Sequence, residues 1–153
     1  MLSRTLLSVA ARRSSPALLR TSVASRGHCQ VPCGIFDDPA KVAEMQQDAA
    51  TIRKAQVQIA ELAGGDGAGL NQAMRWINTK EEHASKIIGT VSEYMLAQRV
   101  KPELFDSDGD YADALKAHHA VMTAAVKTKQ VLDAGAADAL DHALSDLAGM
   151  YTK

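Results

Sequence analysis

Residues 70–100, LNQAMRWINTKEEHASKIIGTVSEYMLAQRV, decide the fold. Leu70, Met74, Ile77, Ala84, Ile88, Val91 and Met95 recur at three- and four-residue intervals and their sums, which keeps one apolar seam on a single helix face until Pro102 stops it. This is the longest helix that the chain predicts, and its neighbours repeat the pattern. Upstream, Asp38-Pro39 reads as an N-cap followed by proline at the first helical position. Val42, Met45, Ala49, Ile52, Ile59 and Leu62 then mark a helix over Pro39–Ala63, ended by Gly64-Gly65. Downstream, a turn at Asp106–Asp110 opens a third stripe, Tyr111, Leu115, Met122, Val126 and Leu132, that runs to Gly135. Leu140, Leu144 and Leu147 supply a fourth over Ala136–Met150. Four amphipathic segments with short loops and no useful strand candidate predict an all-α chain, an antiparallel four-helix bundle over residues 39–153.

Composition agrees with that reading. The 153 residues suffice for one domain, and a 46% hydrophobic content with only 4% aromatic residues favours helices over sandwiches or barrels. No window approaches 18 consecutive apolar residues, so no transmembrane helix is expected. Polar residues inside the stripes have plain readings. Glu81 can rotate to a solvated boundary. The adjacent His118 and His119 point about 100° apart, which makes a shared metal site awkward. Asp106–Asp110 resembles the start of a calcium loop, but Ala117 stands where its last acidic ligand belongs, so a capped loop is expected. Trp76, Ile87 and Tyr94 lie beside the long helix's seam and form a candidate second apolar surface for another subunit.

The net charge of -1 averages two unlike pieces. Residues 1–27 contain Arg4, Arg12, Arg13, Arg20 and Arg26 with no Asp, Glu or Lys, alongside many Ser, Leu and Ala. That is the composition of a cleaved organelle transit peptide, mitochondrial by preference with the plastid as alternative. Arg26 stands two residues before His28, an offset that predicts a cut after Gly27. With those five arginines set aside, 12 basic and 18 acidic side chains remain, a formal charge of -6 that argues against nucleic-acid binding. No membrane role is expected after import.

His28-Cys29-Gln30-Val31-Pro32-Cys33-Gly34 follows the leader and precedes the first helix, so residues 28–38 are read as an irregular metal-binding hook. Two thiolates with three residues between them can reach one ion, although a disulfide, a zinc half-site or incidental packing cysteines fit the spacing as well. Processing before His28 changes the weight. A free α-amine, the Cys29 amide nitrogen and the two thiolates then offer a square of two nitrogens and two sulfurs, which suits Ni(II) or Cu(II), and the imidazole of His28 remains as an axial donor.

The run His28 to Gly34, with Phe36 and Asp38-Pro39 behind it, resembles the nickel-hook motif of nickel superoxide dismutases, His-Cys-x-x-Pro-Cys-Gly-x-Tyr. The resemblance implies a nickel-dependent superoxide dismutase that converts superoxide to dioxygen and hydrogen peroxide by Ni(II)/Ni(III) cycling. It implies one Ni per subunit, with His28, Cys29 and Cys33 as ligands and catalytic residues, and a homo-oligomer, a hexamer of four-helix bundles. Phe36 replaces the family's tyrosine, so an aromatic gate persists without its hydroxyl. Glu44, His83 and Tyr94 are candidate counterparts of the groups that orient the axial imidazole. Lys41, Lys80 or Lys86 can offset the acidic body near the hook. The alternative is a small organellar thiol-redox or copper-handling helical protein that uses Cys29 and Cys33.

Overall fold

The computed structural model describes residues 38–152. Helix α1 spans Pro39–Leu62, α2 Gly67–Gly89, α3 Asp108–Gln130 and α4 Ala134–Ala148, and among the described residues there is no strand. A π-helical segment, Thr90–Leu96, prolongs α2, and a 3₁₀ turn at Pro102–Leu104 precedes α3. Each helix packs on its two neighbours in a square, α1 on α2 and α4, α3 on α2 and α4. The expected antiparallel bundle is what forms. No helix of the described residues is long and apolar enough to cross a membrane.

Helix ends follow their local chemistry. Asp66 accepts the Gly69 N–H at the start of α2 (2.9 Å), and Asp133 accepts that of Gly135 at the start of α4 (3.1 Å). The acidic run before α3 is a capping arrangement: Ser107 Oγ accepts the Asp110 N–H at 3.1 Å and donates to the Asp110 carboxylate at 2.6 Å. Ser107→Ala should therefore cost about 1 kcal/mol, read as a lower denaturant midpoint with an unchanged slope. An unchanged midpoint would show that the cap carries nothing. Because Asp133 caps α4, α3 stops at Gln130, short of the expected Gly135.

Met45, Ile52, Ile87, Val91, Met95, Val121, Leu140, Leu144 and Leu147 form the centre of the core. In α1 and α4 the buried stripe is the expected one. In α2 and α3 it is rotated. Ala73, Lys80, Ala84 and Ile87 face inward on α2, whereas Leu70 and Met74 are more than half exposed. Ala114, His118, Val121, Ala125 and Thr128 face inward on α3, leaving Leu115 and Val126 exposed. Small residues fill the crossings where backbones approach closely, and the larger side chains flank them. The same rotation corrects the expected second surface: Ile87 and Tyr94 are core residues, and Trp76 is half-buried with Lys54 Nζ over its ring.

The π segment carries out a further local shift. The N–H of Ala97 bonds to the Ser92 carbonyl and that of Val100 to the Met95 carbonyl, each five residues back. One extra residue in the turn brings both Tyr94 and Met95 inside.

Candidate functional site

Asp38 is where the chain enters the bundle. Pro39 fixes the first turn of α1 and holds its predecessor out of the helical region, and Asp38 has φ −123°. The expected N-cap is only half realised: the Asp38 backbone carbonyl takes the first helical bonds, but its side chain makes no capping bond. The carboxylate turns inward and accepts from Arg99 Nε at 3.2 Å, with both side chains essentially inaccessible to water. The Asp38 N–H donates to the Tyr151 carbonyl at 2.9 Å. The starts and ends of three elements are thereby locked together, α1 at Asp38, the tail of the π segment at Arg99, and the chain after α4 at Tyr151.

Two aromatic residues line this clamp. Arg99 donates from its terminal guanidinium nitrogen to the Tyr94 hydroxyl at 2.7 Å, and its guanidinium carbon lies 4.5 Å from the Tyr94 ring centroid. Lys41 Nζ lies 5.7 Å from the same ring. Burial pushes the Tyr94 phenol above its ordinary range, partly opposed by the Arg99 hydrogen bond, and burial pushes Tyr151 up further. Both stay neutral phenols near neutral pH.

Tyr151 donates its hydroxyl to His118 Nε2 at 2.6 Å, and His118 Nδ1 lies 2.7 Å from the Ala114 carbonyl. A carbonyl only accepts, so the proton sits on Nδ1, Nε2 accepts, and the imidazole is neutral. His119, by contrast, is exposed, as the angle between adjacent helical residues requires. Burial holds His118 below its ordinary value of 6.5. Below that pH the unfolded chain binds a proton that the folded chain refuses, so His118 contributes stability that is present above about pH 6.5 and lost as the pH falls. His118→Gln can retain an acceptor for Tyr151 without this titration, and its melting temperature should fall less than the wild type's between pH 7 and 5. Equal falls would remove His118 from the acid response.

A second polar group lies along the α1–α2 face. His83 Nδ1 meets Asp48 Oδ1 at 2.5 Å, Lys86 Nζ meets the same oxygen at 3.3 Å and Glu44 at 3.7 Å, and Lys41 donates to Glu44 at 3.0 Å. The Lys41 hydrogen bond holds the Glu44 carboxyl below its usual range, and the Asp48 hydrogen bond holds Lys86 above its own. Glu44 and His83 thus belong to one network, while Tyr94 belongs to the clamp.

The expected lysines are all engaged. Lys41 and Lys86 pair with carboxylates, and Lys80 is buried, donating to Glu81 and to the carbonyls of Thr128 and Lys129. Lys80 lies 19 residues up the helix from Arg99, roughly 28 Å along its axis, which excludes it from the clamp end. Glu81 sits at the boundary, as expected, between Lys80 and Lys129. Asp48, Arg99, His118 and Tyr151 had no stripe or motif to mark them. The one available signal was Arg99 itself, a charge set between the apolar Met95 and Val100.

The expected nickel ligands His28, Cys29 and Cys33, together with Pro32, Phe36 and the leader over residues 1–27, lie outside the described residues. Among the described residues no group of three or more His, Cys, Asp or Glu side chains converges on a metal-sized space. The chain has two cysteines, Cys29 and Cys33, so any thiolate ligation comes from them. The two thiolates with nitrogen donors fit nickel by softness and by donor number.

No curated protein and no solved structure matches the chain. A family model described as nickel-containing superoxide dismutase matches residues 22–153, which takes in the clamp and the whole bundle. The chain therefore belongs to the nickel-containing superoxide dismutase family, oxidoreductases that act on superoxide with nickel as cofactor.

Proposed function

We propose that His28, Cys29 and Cys33 hold the nickel of this superoxide dismutase, one ion per subunit, after residues 1–27 are removed. The observation that carries this reading is the junction. The last ligand of the motif, Cys33, stands five residues before Asp38, where the chain is clamped to Arg99 and Tyr151, which supports a short hook on a fixed root. Cleavage before His28 supplies the α-amine that an internal peptide bond lacks. Bound there, nickel supplies the one-electron couple by which one superoxide is oxidised to dioxygen and another, with two protons, is reduced to hydrogen peroxide.

The chain's own residues hold and screen that site. The clamp fixes where Asp38 enters the bundle, and the neutral Tyr94 and Tyr151 add no negative charge to it. Lys41 and Lys86 balance Glu44 and Asp48 on the adjoining face, which matters for an anionic substrate approaching a body of formal charge -6. Phe36 keeps the aromatic ring of the family motif and gives up its hydroxyl.

The active form in this reading is a homo-oligomer, a hexamer by likeness to the family. Val57, Leu70, Met74 and Leu132 are each more than half exposed on a single subunit, which supports burial against copies of the chain. Light scattering on the processed, nickel-loaded protein tests this, with a hexamer's mass expected and a fully active monomer at micromolar concentration excluding it. The arginine-rich leader supports import into the mitochondrion, with the plastid as alternative. N-terminal sequencing of protein recovered from organelles should begin at His28, and a product still carrying Arg26 would refute the cut.

A further inference from the structure

We propose that Tyr151 and His118 form a proton-coupled redox pair, in which a strong one-electron oxidant removes an electron from the Tyr151 phenol while its proton passes to His118 Nε2. This activity is separate from dismutation and uses none of the proposed nickel ligands. The Tyr151 hydroxyl donates to Nε2 at 2.6 Å, and the two rings meet edge to face with centroids 5.7 Å apart. Neither side chain reaches water. His118 Nδ1 keeps its own proton on the Ala114 carbonyl at 2.7 Å, which fixes the tautomer and leaves Nε2 as a lone pair facing the phenol.

A phenol that has lost an electron is a far stronger acid than an imidazolium, so the proton leaves for Nε2 even though burial weakens that base. One O–H bond breaks and one N–H bond forms. The pair ends as a neutral phenoxyl radical beside an imidazolium, with the electron on the oxidant. The new cation already has two acceptors, the Ala114 carbonyl and the phenoxyl oxygen, which a site closed to water has to supply itself. The oxidant belongs to the peroxide-derived radicals, such as the carbonate radical, which gains the electron and becomes carbonate; dismutation supplies the peroxide from which such radicals arise. An electron from a small reductant such as ascorbate reverses the step and returns the proton to Tyr151. The other tyrosines are less suited. The Tyr94 hydroxyl accepts from Arg99, whose guanidinium also lies 4.5 Å from the ring centroid, and a cation on the ring opposes loss of an electron. Tyr111 is only half-buried against Phe105, so its radical is open to coupling with a second ring. Tyr151, closed to the surface, cannot couple in that way.

The test is pulse radiolysis of the full chain in bicarbonate, which delivers the carbonate radical, followed by optical absorption and electron paramagnetic resonance. Cys29 and Cys33 are first blocked by alkylation, because thiols react with the same radical. The wild type should show a long-lived phenoxyl coupled to an exchangeable proton in its hydrogen bond, and ascorbate should return it to the starting spectrum. Tyr151→Phe keeps the ring in the core and should lose that signal. His118→Gln keeps a hydrogen-bond acceptor but cannot hold the proton, and should slow phenoxyl formation about a hundredfold, the low end of what a positioned proton acceptor contributes. A signal that persists in Tyr151→Phe overturns the proposal by placing the radical on Tyr94, Tyr111 or Trp76, and so does an unchanged rate in a folded His118→Gln. If His118→Gln does not fold, Tyr151→Phe and the wild-type proton coupling decide between them, absence of the coupling overturning the pair. None of these readouts involves nickel, so they stand apart from the ligand reading.

Discussion

Cys29→Ser and Cys33→Ser are each expected to reduce superoxide dismutation to background while leaving the helical bundle folded. A cysteine thiolate is a soft, anionic donor available near neutral pH, whereas a serine hydroxyl stays protonated there and binds nickel poorly. Among the described residues the core is built from α1 to α4 with the π segment and Tyr151. Far-ultraviolet circular dichroism and thermal melting of the nickel-free variants should therefore match the wild type, with nickel content and activity both lost. Nickel-dependent dismutation retained in either variant would contradict the ligand set.

The second large effect is on stability. Arg99→Ala removes the partner of a carboxylate that has no access to water, and uncompensated buried charge typically costs about 3–5 kcal/mol. For a bundle of this size that is a fall of roughly 10–20 °C in melting temperature. Arg99→Lys should recover only part of it, because an ammonium cannot both pair with Asp38 and stack flat on Tyr94. Arg99→Met combined with Asp38→Asn, which removes both charges together, should be more stable than Arg99→Ala alone. If all three variants melt with the wild type, the clamp is not what fixes the root of the hook.

The bundle was legible because α1 and α4 put large aliphatic residues where the core is. Val42, Met45, Ala49, Ile52 and Ile59 on α1, and Leu140, Leu144 and Leu147 on α4, are buried as their spacing predicts. On α2 and α3 the same rule points to the wrong side by about one residue. It counts Leu70, Met74, Leu115 and Val126 as core and passes over Ala73, Ala114 and Ala125, which are buried. Nor can an apolar stripe reveal buried polar residues. Lys80, His118 and Thr128 are tolerated inside because each finds a hydrogen-bond partner, two carbonyls, a carbonyl with a phenol, and a carbonyl respectively. Those partners are decided by tertiary packing.

The site divides in the same way. The proposed ligand positions rest on the motif alone, where donor type, spacing and the place just after an arginine-rich stretch coincide in residues 28–34, outside the described residues. The support at Asp38 was not legible in the sequence. Asp38 looked like a cap because Asp-Pro usually is one, and only the fold reveals that its carboxylate meets Arg99, 61 residues away. The π segment that sets Tyr94 and Met95 inside has no signature in the composition of Thr90–Leu96.

The central claim is that the nickel site of this dismutase is completed by the amino terminus of His28. Its most direct measurement is the nickel content and superoxide dismutation of two purified chains, one beginning at His28 and one at Met1, loaded with nickel under identical conditions. The account predicts one nickel per chain and dismutation in the first, and neither in the second. Equal nickel and equal activity in the chain beginning at Met1 would contradict it.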